Sequence, residues 1–206
     1  MSHDHHHPSE GEGPASEHEI LSRAMQELLE EKGLVSAEEV RRRMELFDEE
    51  FPQRGARVIA HAWANAEFRQ RLLQDGKAAC AEWGLDLEAD RLIAVENTPA
   101  IHNVIVCTLC SCYPRALLGM PPTWYKSDNY RRRVVREPRA VLKEFGTVIP
   151  ESVSIRVHDS NADMRYVVLP MRPKETEGWS EERLAQLVTR DSMIGTGLAK
   201  RPEEVA

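Results

Sequence analysis

An α+β fold is predicted from a change of period along the 206-residue chain. Apolar residues first recur at helical spacing, in segments opened by capping residues. From residue 91 they gather instead into short β-branched runs bounded by turn residues. Charge is divided in the same way. Residues 1–50 hold 14 acids and 5 bases, whereas the whole chain has a net charge of only −7. The expected organisation is a disordered tail at 1–15, an N-terminal helical arm at 16–54 and a layered α/β domain at 55–206.

The tail is rich in His, Gly and acids, and its His3, His5, His6 and His7 are assigned no catalytic role. Ser16-Glu17-His18-Glu19 is a capping box ahead of the stripe Ile20, Leu21, Ala24, Met25, Leu28 and Leu29, which Gly33 closes. Ser36 opens a second helix with Val40, Met44 and Phe47 on one face, stopped near Pro52. Such narrow stripes on so charged a pair require another body to pack against. A third helical region is expected at 56–73 and a fourth at 77–83, closed by Gly84. Strands follow at 91–96, 104–106, 154–158 and 165–169. Residues 129–145 read as helix interrupted at Pro138, and Ser180 caps a last helix carrying Leu184, Leu187 and Val188. Asp159 and Arg165 flank a hairpin-like turn, D-S-N-A-D-M-R, in which an Asx cap is expected.

A composition of 41% hydrophobic and 30% charged residues is too apolar for wholesale disorder. No run approaches the ~18 apolar residues of a membrane span, and the N-terminus lacks a signal-peptide core. A cytoplasmic protein without membrane contact is expected. The acidic balance also argues against nucleic acid as a partner. Seven bases against two acids between Arg115 and Arg139 are the exception, but the aromatic interleaving of nucleic-acid modules is missing. That run is expected to form salt bridges on a helix face or to meet an acidic partner.

Chemistry concentrates in Val106-Cys107-Thr108-Leu109-Cys110-Ser111-Cys112-Tyr113-Pro114, directly after an apolar strand. Three soft sulfur donors in C-x-x-C-x-C form a claw that one metal ion can fill. On spacing alone three readings stand. A structural zinc site wants a fourth ligand, yet Cys80 is distant and His102 lies on the far side of a strand. An iron–sulfur cluster, a variant of that first reading, would also want a fourth cysteine. A redox pair explains Cys107 and Cys110 but leaves Cys112 idle. The third reading is an unusual three-thiolate centre.

V-C-T-L-C-S-C-Y-P, followed by L-G-M-P-P-T-W-Y-K at 118–126, resembles the metal loop of the nitrile hydratase α subunit. Further segments resemble the family across most of the chain: V-E-N-T-P (95–99), Y-R-R-R-V-V-R-E-P-R (130–139), L-K-E-F-G (142–146), G-W-S-E-E (178–182) and V-T-R-D-S-M-I-G (188–195). Thr108 and Tyr113 resemble its cobalt form rather than its iron form. The resemblance implies an α/β/β/α-layered domain and one cobalt(III) per chain. The ligands would be the sulfurs of Cys107, Cys110 and Cys112 and the deprotonated amides of Ser111 and Cys112, with a sixth position open for catalysis. It further implies a sulfinate at Cys110 and a sulfenate at Cys112. The implied reaction is hydration of a small-molecule nitrile to the amide, with Cys110, Ser111 and Cys112 as catalytic residues. The metal would act as Lewis acid or hold the attacking hydroxide, and the Cys112 sulfenate is a competing nucleophile.

Three anionic sulfurs and two amidates outweigh a trivalent ion, so a buried centre needs charged donors around it. Only Arg115 is close in sequence. The resemblance implies a β-type partner subunit that supplies arginines, a hetero-oligomer clasped by the arm, and admits a cobalt-loading activator protein. One departure points elsewhere. Arg115 stands where most nitrile hydratases carry Trp, which resembles the γ subunit of thiocyanate hydrolase, an enzyme yielding carbonyl sulfide and ammonia. A non-enzymatic, zinc-type structural role is the remaining alternative. Asp159 and Arg165 match family positions and read either as a surface turn or as catalytic help. Trp124 and Tyr125 are expected in a substrate pocket or in packing, Cys80 as a buried small hydrophobe, and His61, His102 and His158 as structural.

Overall fold

The computed structural model describes residues 17–45, 50–85, 87 and 91–205, apart from the side chains of His18 and Glu19. The expected tail, Ser16 of the first capping box and Phe47 lie outside the described residues. Helix α1 (Glu17–Glu31) and α2 (Ala37–Glu45) form the N-terminal pair. The predicted box at Ser36 is present. The Glu39 amide donates to Ser36 Oγ at 3.1 Å, and the Ser36 amide donates back to Glu39 Oε2 at 2.8 Å. The α1 stripe stays open, with Ile20, Leu21 and Met25 all about 60% exposed, and α2 buries no residue.

Pro52 starts a helix rather than stopping one. It lies in the first turn of α3 (Phe51–Ala64), where its missing N–H costs nothing. The single helical region expected at 56–73 is two helices, because Asn65 takes an extended conformation and caps α4 (Ala66–Gln74) by accepting from the Phe68 amide at 2.9 Å. Asp75 repeats the device for α5 (Gly76–Ala81).

Strands β1 (Arg91–Glu96) and β2 (Ile101–Val106) follow. Short helices α6 (Arg115–Leu118) and α7 (Thr123–Lys126) come next, then α8 (Asp128–Arg136) and α9 (Pro138–Glu144), divided at Pro138 as expected. Strands β3 (Ser154–Asp159) and β4 (Met164–Leu169) precede α10 (Glu181–Ala185), α11 (Arg190–Ile194) and a 3₁₀ turn at Pro202–Glu204. Ser180 caps α10 as predicted, but that helix ends at Ala185, short of Leu187 and Val188, and α11 follows it.

The turn between β3 and β4 is not a hairpin. β1 pairs with β4 and β2 with β3, both parallel, in two separate two-stranded sheets. The turn carries the chain from one sheet to the other. Asn161 Oδ1 accepts from the amides of Asp163 and Met164 at 3.0 Å, the expected Asx cap. α4 and α5 pack on β1, β4 on β2, and α9 on β3, which gives the α/β/β/α layering. A parallel pair requires a long crossover. The β2-to-β3 crossover begins with the cysteine segment, so that segment leaves the carboxyl end of a parallel strand, where open parallel sheets place their functional loops.

Two close approaches hold this strand. Gly195 (φ 91°) ends α11 so near β2 that a Cβ would fall on the carbonyl of Asn103. A buried relay joins the same elements. His102 Nε2 donates to Gly195 O at 2.7 Å, Asn97 Oδ1 accepts from the Asn103 amide at 2.7 Å, and His158 Nε2 donates to Asn103 Oδ1 at 2.8 Å. All three histidines singled out in the sequence are structural in this sense, His61 pairing with Glu181 at 2.9 Å between α3 and α10.

Candidate metal centre

β2 ends on fully buried residues, and Cys107 continues it at 0% exposure, so the loop starts from a rigid base. The chain then turns outward and back. Cys110 Sγ lies 3.5 Å from Cys107 Sγ and 3.3 Å from Cys112 Sγ, and all three sulfurs fall within 4.8 Å of one another. Among the described residues this is the one group of three or more Cys, His, Asp or Glu side chains close enough to share an ion. The N–H groups of Ser111 and Cys112 face the Cys110 sulfur. They reinforce the side-chain contacts from Cys112 and Cys107 that hold the Cys110 thiol below its ordinary pKa. Burial pushes the Cys112 thiol up, to about 12, with Arg165 opposing the rise.

The loop is pinned from two sides. Asp159, the last residue of β3, accepts from the Thr108 amide at 2.9 Å and from Thr108 Oγ1 at 2.6 Å. Below, Tyr125 Oη donates to the Cys112 carbonyl at 3.0 Å and Tyr130 Oη to Ile105 O at 2.8 Å. Tyr125 stacks edge-on with Tyr113 and Trp124, so Trp124 and Tyr125 belong to the buried floor of the loop and line no part of the cavity beside it. Cys80 stands apart, fully buried in α5, its thiol raised to about 12 by burial. The four-ligand zinc geometry therefore has no fourth sulfur here.

A cavity of about 260 Å³ opens beside Cys110, Ser111 and Cys112. Its lining includes two guanidinium groups, Arg115 from α6 and Arg165 from β4. Sequence proximity pointed to Arg115 alone; the parallel β1–β4 pairing brings Arg165 in from a distant segment. Arg131, Arg132, Arg133 and Arg139 of the run form the salt bridges expected of it. Arg133 bonds Glu137 at 2.6 Å and Glu144 at 2.5 Å, and Arg131 and Arg132 share Asp128.

A metal ion fits this donor set. Sulfurs 3.3 and 3.5 Å apart, all three within 4.8 Å of one another, are close enough to share one ion.

Fold and site together define an α+β protein with a three-cysteine loop at the carboxyl end of a parallel strand, beside a cavity lined by two arginines. Over residues 16–197 the chain matches the family described as nitrile hydratase, alpha chain. It is 47% identical over 203 residues to the low-molecular-weight cobalt-containing nitrile hydratase subunit alpha of Rhodococcus rhodochrous, covering 97% of this chain and 98% of that one. It is 45% identical over 197 residues to the thiocyanate hydrolase subunit gamma of Thiobacillus thioparus, covering 90% and 81%. A double mutant of the Fe-type nitrile hydratase from Comamonas testosteroni Ni1 superimposes with a TM-score of 0.79 at 42% identity, covering 91% of this chain and 94% of that one. The chain belongs to the nitrile hydratase α-chain family, a family of enzyme subunits.

Proposed function

We propose that the chain is the metal-binding catalytic subunit of a cobalt nitrile hydratase, hydrating a nitrile to its amide. The convergence of the Cys107, Cys110 and Cys112 sulfurs within 4.8 Å of one another, in a chain of this family, carries the reading. Thr108 and Tyr113, together with the cobalt-containing relatives, support cobalt over iron. The ligands would be these three sulfurs and the peptide nitrogens of Ser111 and Cys112, both of which already face the sulfur cluster. The bound ion would supply Lewis acidity toward the nitrile.

The chain's own residues do the rest. Asp159 and Tyr125 hold the loop in its turned form from opposite sides. Arg165 and Arg115 set positive charge around oxygens carried by Cys110 and Cys112 once these are oxidised to sulfinate and sulfenate. Cys110 is exposed, which gives an oxidant access. A β-type partner subunit would close the open side of the centre and complete its charge balance, with a cobalt-loading activator delivering the ion.

A second reading, a thiocyanate hydrolase γ subunit, is favoured by the two guanidinium groups at the cavity, which suit an anion. Values of kcat/KM for neutral nitriles and for thiocyanate, measured on the cobalt-loaded complex, decide between the two. Preference for nitriles is expected. Turnover of thiocyanate alone would select the second reading, and a zinc-only preparation inert to both would select a structural role.

A further inference from the structure

We infer that Leu87, Leu92 and Ala116 form an apolar wall that limits the length of the substrate's substituent; this rests on the nitrile reading. All three line the cavity that holds Cys110, Ser111 and Cys112. They arrive from different parts of the fold: Leu87 from the approach to β1, Leu92 from its second residue, Ala116 from α6. Leu92 is the register partner of Arg165 across the β1–β4 pair, so the two side chains share one face of the sheet. A linear R–C≡N molecule has a polar head and an apolar substituent. With the head at the sulfur cluster, this trio is the aliphatic lining contributed from outside the cysteine loop, whose own Tyr113 and Pro114 complete the non-polar surface. The wall is stiff. Leu87 and Leu92 are 6% and 4% exposed, and α5 backs Leu92 so closely that a Cβ on Gly76 would sit 2.7 Å from its carbonyl oxygen and 3.2 Å from its Cγ. Within about 260 Å³ shared with two arginines, such a wall accepts short aliphatic substituents and rejects long ones.

The test compares kcat/KM for hexanenitrile and acetonitrile on the metal-loaded complex of the full chain with its partner subunit. Leu92→Val should raise the hexanenitrile-to-acetonitrile ratio about tenfold, and Ala116→Leu should lower it by a similar factor, the scale of a methylene in an apolar pocket. Leu198→Ala, at an exposed residue outside the lining of this cavity, should leave the ratio unchanged. If Leu92→Val does not fold, Ala116→Leu decides alone, since Ala116 is half-buried in a short helix. An unaltered ratio in the folded variants overturns the wall while leaving nitrile hydration in place. Failure of every form to hydrate any nitrile, with thiocyanate turned over, overturns the nitrile reading itself.

Discussion

Cys107, Cys110 and Cys112 act as one unit in this account, and Cys80 does not belong to it. Replacing any of the three with Ala should abolish cobalt retention and turnover together, as read by metal analysis and nitrile hydration. Cys80→Ala should leave both nearly intact; loss of metal in that variant would restore the four-ligand zinc reading. Peptide mass spectrometry should find two added oxygens on Cys110, one on Cys112 and none on Cys107. Asp159 makes a sharper test of how the loop is held. Asp159→Asn keeps the volume but removes the charge and one of the two acceptors for Thr108, and should cost about 10–100-fold in metal affinity or activity. At His102, burial lowers the pKa below its ordinary 6.5, partly offset by the bond to Gly195. A depressed folded-state value means that the unfolded chain binds the extra proton first as pH falls. The stabilisation is therefore complete above about pH 6.5 and is lost as pH falls through the folded-state value. Denaturant unfolding between pH 5 and 8 should show this slope, weakened in His102→Gln. His158, lowered by burial and by Arg156, adds to the same window.

At the scale of elements, α1 and α2 leave large apolar side chains open within a segment, residues 1–50, that carries 14 acids against 5 bases. Deleting residues 1–50 should weaken assembly with the partner subunit more than it weakens cobalt binding, as measured by sedimentation and metal content. If the truncated chain assembles and hydrates substrate as well as the full one, the arm has been misread. The α/β body was legible where periodicity had room to act: β1, the α8–α9 break at Pro138 and the Ser36 and Ser180 caps all lie where the residues place them. Helices α6 and α7, of four residues each, and α11, of five, are too short to show a period. Pairing was not legible either. A D-S-N-A-D-M-R turn between two strands reads as a hairpin, and only long-range parallel pairing sends its flanks to different sheets. For the same reason the sulfur claw was visible in C-x-x-C-x-C, whereas Leu92 and Arg165 reached it through a register that no local pattern records.

Over the whole molecule, the two sheets meet so that the carboxyl ends of β2 and β3 face the amino ends of β1 and β4, and the candidate centre occupies that junction. One sheet provides the sulfurs and the Asp159 anchor, and the other provides Arg165 and Leu92. The three sulfurs lie together, and the loop that carries them is open on one side, with Leu109 at its tip 83% exposed. That openness is what a subunit shared with a partner requires. The central claim is that the claw holds a trivalent, substitution-inert ion rather than zinc. Metal content of the active complex, measured on the same preparation whose nitrile hydration is assayed, tests it most directly. About one cobalt per chain, rising and falling in proportion to activity, is the predicted result; full activity with zinc bound and neither cobalt nor iron present would contradict it.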